Sequence, residues 1–384
     1  MKNWIQYYGT LIFRQILKVL HIFPIKKNRV LFYSFNGKQY SCNPKQISDY
    51  LSKHCPDLEI IWAFKDPAQF EKQIENGIKR VKFRSLLYYY YAKTSRVIVQ
   101  NVQGFGELSR RKGQDVIQTW HASNGYKKQS DYVGIRKKIE NLYHKDYTFV
   151  MSGSDSMTLR RVRGTMGFDG TVLSGTPRMD IIINQNNDDI KQTVYDYFGL
   201  DTKTKILLYA PTWRKDRKDN SYGLDYLQVY ETVKNKFGGE WVILVRLHPN
   251  VYTMPDLSYP FTMNATQYPD MQDLLYTCDV LISDYSSCIW DYSFTYKPCF
   301  LFCQDIQKYG QDRDFDIPIN QWHFPLSTNM NELVYIISNF DECAFKKEMK
   351  LHHSEMRNLE DGHATQRVCS LISRLCEEKC NEKV

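Results

Sequence analysis

The chain has 384 residues, which is more than one compact domain of ordinary size holds and fits two. A hydrophobic share of 42% and an aromatic share of 14% exclude an intrinsically disordered protein. Lys and Arg number 51 against 43 Asp and Glu, and the net charge of +8 favours phosphate-rich partners: nucleotides, nucleic acid or anionic lipid.

The first 27 residues predict an amphipathic helix. Apolar residues recur near helical spacing, at Ile5, Tyr8, Leu11, Ile12, Val19, Leu20 and Phe23. Basic residues accompany them, at Lys2, Arg14, Lys18, Lys26 and Lys27. Because Arg14 interrupts the apolar run and no small-residue cleavage site follows, we expect neither a membrane span nor a signal peptide. The segment is predicted to lie in the headgroup layer with its basic side chains toward anionic lipid, and the alternative is a helix packed on the protein's own core.

After Lys27, short runs rich in β-branched and aromatic residues alternate with helical stretches. The first series of predicted strands is Val30–Phe35, Ile60–Phe64, Val97–Gln100, Val116–Thr119, Phe149–Ser152 and Val172–Ser174. A polar stretch at Asn184–Asp189 predicts a linker or surface loop. The second series is Ile206–Ala210, Trp241–Leu247, Phe261–Met263, Val280–Ser283 and Phe300–Phe302. Strands that alternate with helices predict parallel α/β sheets with crossover helices.

Two such series predict an α/β protein with two facing Rossmann-like domains and a cleft between them. The predicted segments are an amphipathic membrane-surface helix over 1–27, an N-terminal Rossmann-like domain over 28–185, a C-terminal Rossmann-like domain over 186–365 and a C-terminal helix over 366–384. No G-x-G-x-x-G fingerprint is found, which argues against an NAD-dependent enzyme.

One strand end carries a candidate phosphate site. The strand Val280–Ser283 is followed by Asp284, Tyr285, Ser286 and Ser287, and then by a predicted helix. Ligands of open parallel sheets bind beyond the carboxyl ends of the strands, and a helix start offers unpaired N–H groups and a positive dipole end. The turn can therefore hold a pyrophosphate, and the structural alternative is plain capping of the helix by Asp284 or Ser286.

Two more strand ends of the second series carry basic residues. Arg214 follows Ile206–Ala210, and Arg246 and His248 lie at the end of the strand that starts at Trp241. Arginine can bind phosphate through two hydrogen bonds, and histidine can donate to a phosphoryl oxygen. Each residue alone is more often a surface or ion-paired group. Because all three strand ends fall on the same edge of one sheet, together they predict a nucleotide-diphosphate site.

A candidate base lies in the first series. His121 follows Val116–Thr119 and Trp120, again at the carboxyl end of a strand, and the loop after it holds Asn124 and Lys127. A histidine with a pKa near ~6.5 can accept a proton from an attacking hydroxyl at neutral pH. If the two sheets face each other, His121 and the predicted phosphate site would meet across the cleft. The structural alternative is a core histidine bonded to backbone.

Several short motifs occur in a fixed order along the chain. They are Trp120-His121, Gly175-Thr-Pro-Arg-Met-Asp180, Ala210-Pro-Thr-Trp-Arg214, Arg246-Leu-His-Pro249, Ser283-Asp-Tyr-Ser-Ser287 and Asp361-Gly-His-Ala-Thr-Gln-Arg367. Together they resemble the CDP-glycerol glycerophosphotransferase family, which builds teichoic acids and some capsules. The resemblance implies a GT-B fold and direct displacement at phosphorus, with CMP as the leaving group.

The resemblance also implies roles for single residues. His121 matches the general base, and His248 matches a second essential histidine beside the donor phosphates. Arg214, Ser286 and Ser287 match pyrophosphate contacts, and Asp284 lies in the same motif as the two serines. Arg367 matches a basic residue near the C-terminus of the family. With Arg246, these residues make up the expected donor-phosphate site. Trp120, Asn124 and Lys127 make up the expected acceptor loop, in which Ala122 replaces a glycine common in the family.

The expected reaction moves glycerol phosphate, or a related polyol phosphate, from CDP-glycerol or CDP-ribitol to a lipid-linked saccharide or polyol-phosphate acceptor. Its expected place is the cytoplasmic face of the bacterial plasma membrane, in teichoic acid or capsule synthesis, and the chain's size is nearer to a primase than to the family's long polymerases. A GT-B sugar transferase that uses a nucleotide sugar would share the phosphate site and is the alternative. A non-catalytic nucleotide or nucleic-acid binder is a second alternative. The basic residues do not form one aromatic-interleaved stripe, which counts against it, and a nucleic-acid partner is not expected.

No cofactor is expected. Asp314-Phe315-Asp316 is formally a D-x-D, the metal-binding pattern of another glycosyltransferase fold. It lies in a predicted polar loop away from the strand ends, and helix N–H groups and arginines already supply the electrostatic role of a metal. We therefore predict no metal site.

Overall fold

The computed structural model describes residues 2–74, 77–103, 106–128, 133–185, 187–212, 223–247, 255–312 and 315–377. The chain divides into two compact units. The first unit comprises Met1–Ser123, Gln129–Asp180 and Leu359–Val384, and the second comprises Asn124–Lys128 and Ile181–Asn358. Each unit is built around its own parallel sheet.

The described residues of the first unit form seven strands: β1 Lys26–Tyr33, β2 Glu59–Phe64, β3 Lys79–Lys82, β4 Ser95–Gln100, β5 Asp115–Gln118, β6 Phe149–Ser152 and β7 Thr171–Ser174. All pairings are parallel, in the order β3-β2-β1-β4-β5-β6-β7. Both faces of β1 are covered, with Leu31 and Tyr33 in one apolar cluster and Val30 and Phe32 in another. Burial on both faces explains the continuous apolar runs in the sequence.

The described residues of the second unit form six strands: β8 Lys205–Ala210, β9 Trp241–Val245, β10 Thr262–Asn264, β11 Val280–Ser283, β12 Cys299–Phe302 and β13 Leu326–Ser327. They are also all parallel, in the order β10-β9-β8-β11-β12-β13. The carboxyl ends of β9, β8 and β11 are therefore adjacent. Every predicted strand is present with small shifts at its ends, and the strands that were not predicted, β3 and β13, are short strands at sheet edges.

The helices of the described residues are α1 Lys2–Ile16, α2 Cys42–His54, α3 Leu86–Thr94, α4 Gly134–His144, α5 Asp155–Met157, α6 Pro177–Asn184, α7 Asp188–Phe198, α8 Tyr226–Phe237, α9 Met271–Thr277, α10 Cys288–Tyr292, α11 Ile306–Asp312, α12 Met330–Ser338, α13 Glu342–Glu355 and α14 Ala364–Glu377. Several starts are fixed locally: Ser85 and Asp225 accept hydrogen bonds from the N–H groups of Tyr88 and Gln228. None of these helices combines the length and apolar character that crossing a membrane requires.

The end of the chain returns to the first unit. The sequence pattern predicted a single domain over residues 186–365. In the structure, the residues from Leu359 onward lie in the first unit. The buried Glu360 carboxylate accepts hydrogen bonds from the backbone N–H of Thr176, at 2.8 Å, and from its hydroxyl, at 2.6 Å. Val368 and Ile372 of α14 enter the same core as β1. A buried carboxylate and an apolar helix face hold this segment in place.

Helix α1 packs on the first unit along one face. Arg14 is only 4% exposed, donates to the carbonyl oxygens of Gly106 and Leu142, and pairs with Asp146. The prediction that Arg14 points toward lipid is therefore wrong, because the buried guanidinium bonds to the protein's own oxygens. The other face of α1 and the 3-10 helix Leu17–Ile22 leave a row of apolar side chains exposed, at Trp4, Ile5, Tyr8, Ile12, Ile16, Val19 and Ile22.

Candidate active site

The carboxyl ends of β1, β4 and β5 are adjacent in the first sheet, and they bring a group of polar residues together. Ser34 and Phe35 follow β1, Asn101 follows β4, and His121 follows β5. The side-chain amide of Asn101 joins the first two ends: its oxygen accepts from the Phe35 N–H at 2.8 Å, and its nitrogen donates to the Ser34 hydroxyl at 3.0 Å. The Phe35 ring lies 5.4 Å from the His121 ring.

The imidazole of His121 is held in one orientation. Its Nδ1 lies 2.9 Å from the backbone carbonyl oxygen of Asn101. A carbonyl oxygen can only accept, so Nδ1 carries the proton and Nε2 keeps its lone pair. Asn101 is a residue that the sequence reasoning missed, although a polar residue directly after a buried strand was the available signal.

The surroundings keep His121 neutral. Burial lowers the pKa of His121 to about 4, the hydrogen bond to Asn101 opposes this shift, and the nearby charges of Arg178 and Arg161 add to it. At neutral pH the free chain therefore presents an unprotonated Nε2. That is the state a general base needs before it takes a proton from a hydroxyl.

The backbone around His121 is strained. Phe35, Asn36 and Trp120 have positive φ angles of 46°, 57° and 52°, a region that bulky residues rarely adopt. Such conformations cost free energy and cluster at functional sites. A buried amide, Asn43, spans the turn by donating to the carbonyl oxygens of Thr119 and Trp120, at 3.0 and 2.9 Å. Sequence reasoning missed Asn43, because it belongs to none of the motifs.

The predicted acceptor loop is divided between the units. Trp120 belongs to the first unit, whereas Asn124 and Lys127 belong to the second. Within the second unit, Lys127 pairs with Phe315 in an antiparallel bridge, and the Asp316 N–H donates to the Tyr126 carbonyl at 2.7 Å. The Tyr126 ring packs against Trp290, with 4.5 Å between centroids. The loop that carries Asn124 and Lys127 is therefore anchored by its own neighbour, Tyr126.

At the carboxyl edge of the second sheet, Asp284 joins β11 to the end of β8. Its carboxylate is 2% exposed and accepts from the backbone N–H of Thr212, at 2.9 and 3.0 Å, and from its hydroxyl, at 2.6 Å. Through these contacts Asp284 holds Thr212, the second residue after β8. A carboxylate suits this positioning role better than it suits direct contact with a phosphate, because two anions repel.

Arg246 follows β9 on the same edge. Its guanidinium donates to the carbonyl oxygens of Ala265 and Tyr268, at 3.1 and 2.7 Å, and its burial lowers the pKa of the side chain. Ser286 and Ser287 follow β11 and are partly exposed. Ser287 directly precedes the short helix α10, and the Ser286 hydroxyl lies 3.5 Å from the Cys288 N–H that donates to it. The structure thus brings Arg246, Asp284 and both serines to adjacent strand ends.

Three predicted donor residues are not part of this described group. Arg214 and His248 lie outside the described residues. Arg367 is in the first unit, where it pairs with Asp361 at 2.6 Å and donates to the Ser174 carbonyl at 3.0 Å. Within the first unit, Arg367 therefore joins α14 to the end of β7.

Across the residues with described positions, no group of three or more His, Cys, Asp or Glu side chains could hold a metal ion. Asp314, the first aspartate of the D-x-D, lies outside the described residues, and the Asp316 N–H takes part in the contact with Tyr126.

Two parallel α/β sheets, each with polar and basic groups at its carboxyl edge, define a GT-B-like fold. The same fold is found in the wall teichoic acid polymerase TagF, with a TM-score of 0.83 and 24% identity over 98% of this chain and 97% of that chain. The chain belongs to the CDP-Glycerol:Poly(glycerophosphate) glycerophosphotransferase family, whose family model matches residues 15–374.

Two relatives of different length are similar to this chain. The chain is 28% identical to the teichoic acid glycerol-phosphate transferase of Staphylococcus aureus, covering 92% of this chain and 95% of that protein. It is 27% identical to the teichoic acid poly(glycerol phosphate) polymerase of Staphylococcus epidermidis, again over 92% of this chain. The chain spans about half, 52%, of that polymerase.

Proposed function

We propose that this chain transfers glycerol phosphate, or a related polyol phosphate, from a CDP-activated donor to a hydroxyl of a lipid-linked or polymeric acceptor. The observation that carries the proposal is His121, whose Nδ1 is bound to the Asn101 carbonyl while Nε2 is free of its proton. Family membership and the activities named for the two staphylococcal relatives support the choice of donor.

The proposed step is a single displacement. The acceptor oxygen forms a bond to the β-phosphorus of the donor, the bond from that phosphorus to the CMP oxygen breaks, and the acceptor proton moves to Nε2 of His121. Catalysis of this kind depends on positioning and on charge stabilisation. We assign donor-phosphate contacts to Arg214, Arg246, His248 and the Ser286–Ser287 turn, and we assign to Asp284 the role of holding the loop after β8.

The donor preference can be measured by product release. The chain is incubated with CDP-glycerol, CDP-ribitol or UDP-N-acetylglucosamine, each with a lipid-linked saccharide and with a glycerol-phosphate-ended lipid. We expect CMP release from at least one CDP-polyol that depends on an acceptor, and no acceptor-dependent release of UDP. Release of UDP without any release of CMP would identify a sugar transferase instead and overturn the proposal.

We also propose that the chain works at the cytoplasmic face of the plasma membrane, bound through the exposed apolar row of α1 and the 3-10 helix. Exposed fractions in this row reach 62% at Ile12 and 75% at Ile22. Lys18, Lys26 and Lys27 are exposed beside it. An apolar face flanked by lysines binds anionic lipid surfaces, and each lysine near the surface contributes about 1 kcal/mol.

The membrane proposal predicts a specific effect of charge in the apolar row. The double variant Ile12→Glu, Ile16→Glu is expected to bind vesicles of phosphatidylglycerol and phosphatidylcholine at least about tenfold more weakly than the unaltered chain, measured by co-sedimentation. The matched control is Leu159→Glu, Val133→Glu, which adds the same charges at exposed apolar residues elsewhere. Equal binding by the α1 variant and the unaltered chain would contradict the proposal.

A further inference from the structure

The loop that continues from His121 is fixed within the second unit by one buried tyrosine. Tyr126 lies five residues after His121 in the chain, and its side chain is only 2% exposed. Its hydroxyl donates to Sδ of Met356 at 2.8 Å, and its ring lies 5.7 Å from the Trp322 ring. The Tyr126 carbonyl accepts from the Asp316 N–H at 2.7 Å. Both the side chain and the backbone of Tyr126 are therefore held by residues of the second unit.

The ring contact that bears on the reaction is with Trp290. The two rings meet edge to face, with 4.5 Å between the centroids of Tyr126 and Trp290. Trp290 lies on α10, which begins directly after Ser287, and its backbone N–H donates to the Ser287 carbonyl at 3.2 Å. The ring that contacts the loop is therefore one hydrogen bond away from the Ser286–Ser287 turn, to which donor-phosphate contacts are assigned.

A second set of contacts reaches the residue before that turn. Nζ of Lys127 lies 5.7 Å from the centroid of the Tyr309 ring, a cation–π contact. The Tyr309 ring stacks on the Tyr285 ring, with 3.9 Å between centroids, and Tyr285 directly precedes Ser286. Two neighbouring residues of the loop are thus connected to both sides of the Ser286–Ser287 turn, and two separate contacts fix the orientation of the loop as well as its distance from the turn.

Trp290 does not depend on Tyr126 for its own position. Its ring also lies 4.8 Å from the His352 ring, 5.1 Å from the Trp322 ring and 5.3 Å from the Phe324 ring. These three contacts remain when the Tyr126 side chain is shortened. Loss of the Tyr126 ring should therefore release the loop and leave α10, with the turn that precedes it, in place.

We propose that Tyr126 is a positioning residue for the transfer reaction, which holds the loop that continues from His121 against the helix that begins at the Ser286–Ser287 turn. The inference rests on the proposed function, in which His121 takes the acceptor proton. Displacement at phosphorus requires closely aligned groups, and a misplacement of about 1 Å can cost about 10²-fold in rate. The contact between Tyr126 and Trp290 therefore acts on turnover and leaves donor binding unchanged.

The test separates kcat from donor binding. Tyr126→Leu is expected to lower the kcat of acceptor-dependent CMP release at least about tenfold, while the Kd of CDP-glycerol in calorimetry stays within about twofold. Tyr126→Phe keeps the ring and should retain kcat within about threefold. The matched control is Tyr195→Leu, at a tyrosine of α7 in the same unit that is also 2% exposed and donates to the Thr204 carbonyl at 2.7 Å. It should lower the midpoint of thermal unfolding to a similar extent and leave kcat unchanged.

Insertion of two glycines between Ser123 and Asn124 tests the connection without removing a buried side chain. The contacts of Tyr126 stay, but the chain from His121 to Tyr126 becomes longer, so kcat should again fall at least about tenfold with the Kd of CDP-glycerol within about twofold. This variant decides the question if Tyr126→Leu does not fold. Normal kcat in the insertion variant, or in a folded Tyr126→Leu variant, would refute the inference. Acceptor-dependent CMP release by the unaltered chain would then still support the proposed function, so the two failures can be told apart.

Discussion

Replacing His121 by alanine is expected to lower the kcat of CMP release by about 10²–10⁴-fold, the usual contribution of a general base. The attacking hydroxyl would lose its proton acceptor, while the donor-phosphate residues assigned to the second unit would stay unchanged. Binding of CDP-glycerol should therefore stay within about twofold of the unaltered chain. Stopped reactions that quantify CMP, together with calorimetry of CDP-glycerol, measure both quantities.

The control for this variant is His363→Ala, which removes an exposed imidazole from the same unit. It should leave turnover unchanged. If the His121 variant still releases CMP at a comparable rate with a proper acceptor, His121 is not the base, and the proposed step fails at its first proton transfer.

The pH dependence follows from the same geometry. Because burial lowers the pKa of His121 to about 4, its proton-accepting form is present at all pH values well above 4. The acid limb of kcat/KM should therefore lie below the ordinary histidine range near ~6.5, and activity should fall only as the pH approaches 4. An acid limb centred near ~6.5 would contradict the lowered pKa of His121.

Asp284→Ala is expected to weaken CDP-glycerol binding at least about tenfold and to lower the free energy of unfolding by about 3 kcal/mol. The buried carboxylate accepts from both the N–H and the hydroxyl of Thr212, and hydrogen bonds to charged groups contribute about 1.5–3 kcal/mol each. Without it, Thr212 loses its anchor, and the proposed phosphate contact Arg214 is two residues further along the chain. Denaturant unfolding and donor calorimetry measure the two effects.

Two further variants test the role of Asp284: one removes a single hydrogen bond, and the other is a control at a different aspartate. Thr212→Val removes only the hydroxyl bond and should cost about 1–2 kcal/mol of stability. Asp256→Ala, at an exposed aspartate that accepts from the Ser258 N–H, should leave donor binding unchanged. A stable Asp284→Ala variant with normal donor affinity would remove Asp284 from the donor site.

Much of the fold could be predicted because its signals are local. Parallel strands buried on both faces produce short continuous apolar runs, and this is why β1, β8 and β11 could be predicted from the sequence pattern. Carboxyl ends of such strands are where ligands bind, so His121, Arg246 and the Ser286–Ser287 turn could be selected without coordinates. The edge strand β3, with the sequence Lys-Arg-Val-Lys, buries one residue and gives no such run.

The succession of strands and helices, the amphipathic start and the candidate polar residues are all local features, and they could be predicted from the sequence. Only the tertiary structure decided what those residues contact. Arg14 pairs with Asp146, 132 residues away, and Asp284 holds Thr212, 72 residues away. The carbonyl that orients His121 is 20 residues before it. Hydrogen-bond partners at such separations depend on which strands become neighbours, and no local pattern of residues encodes that choice.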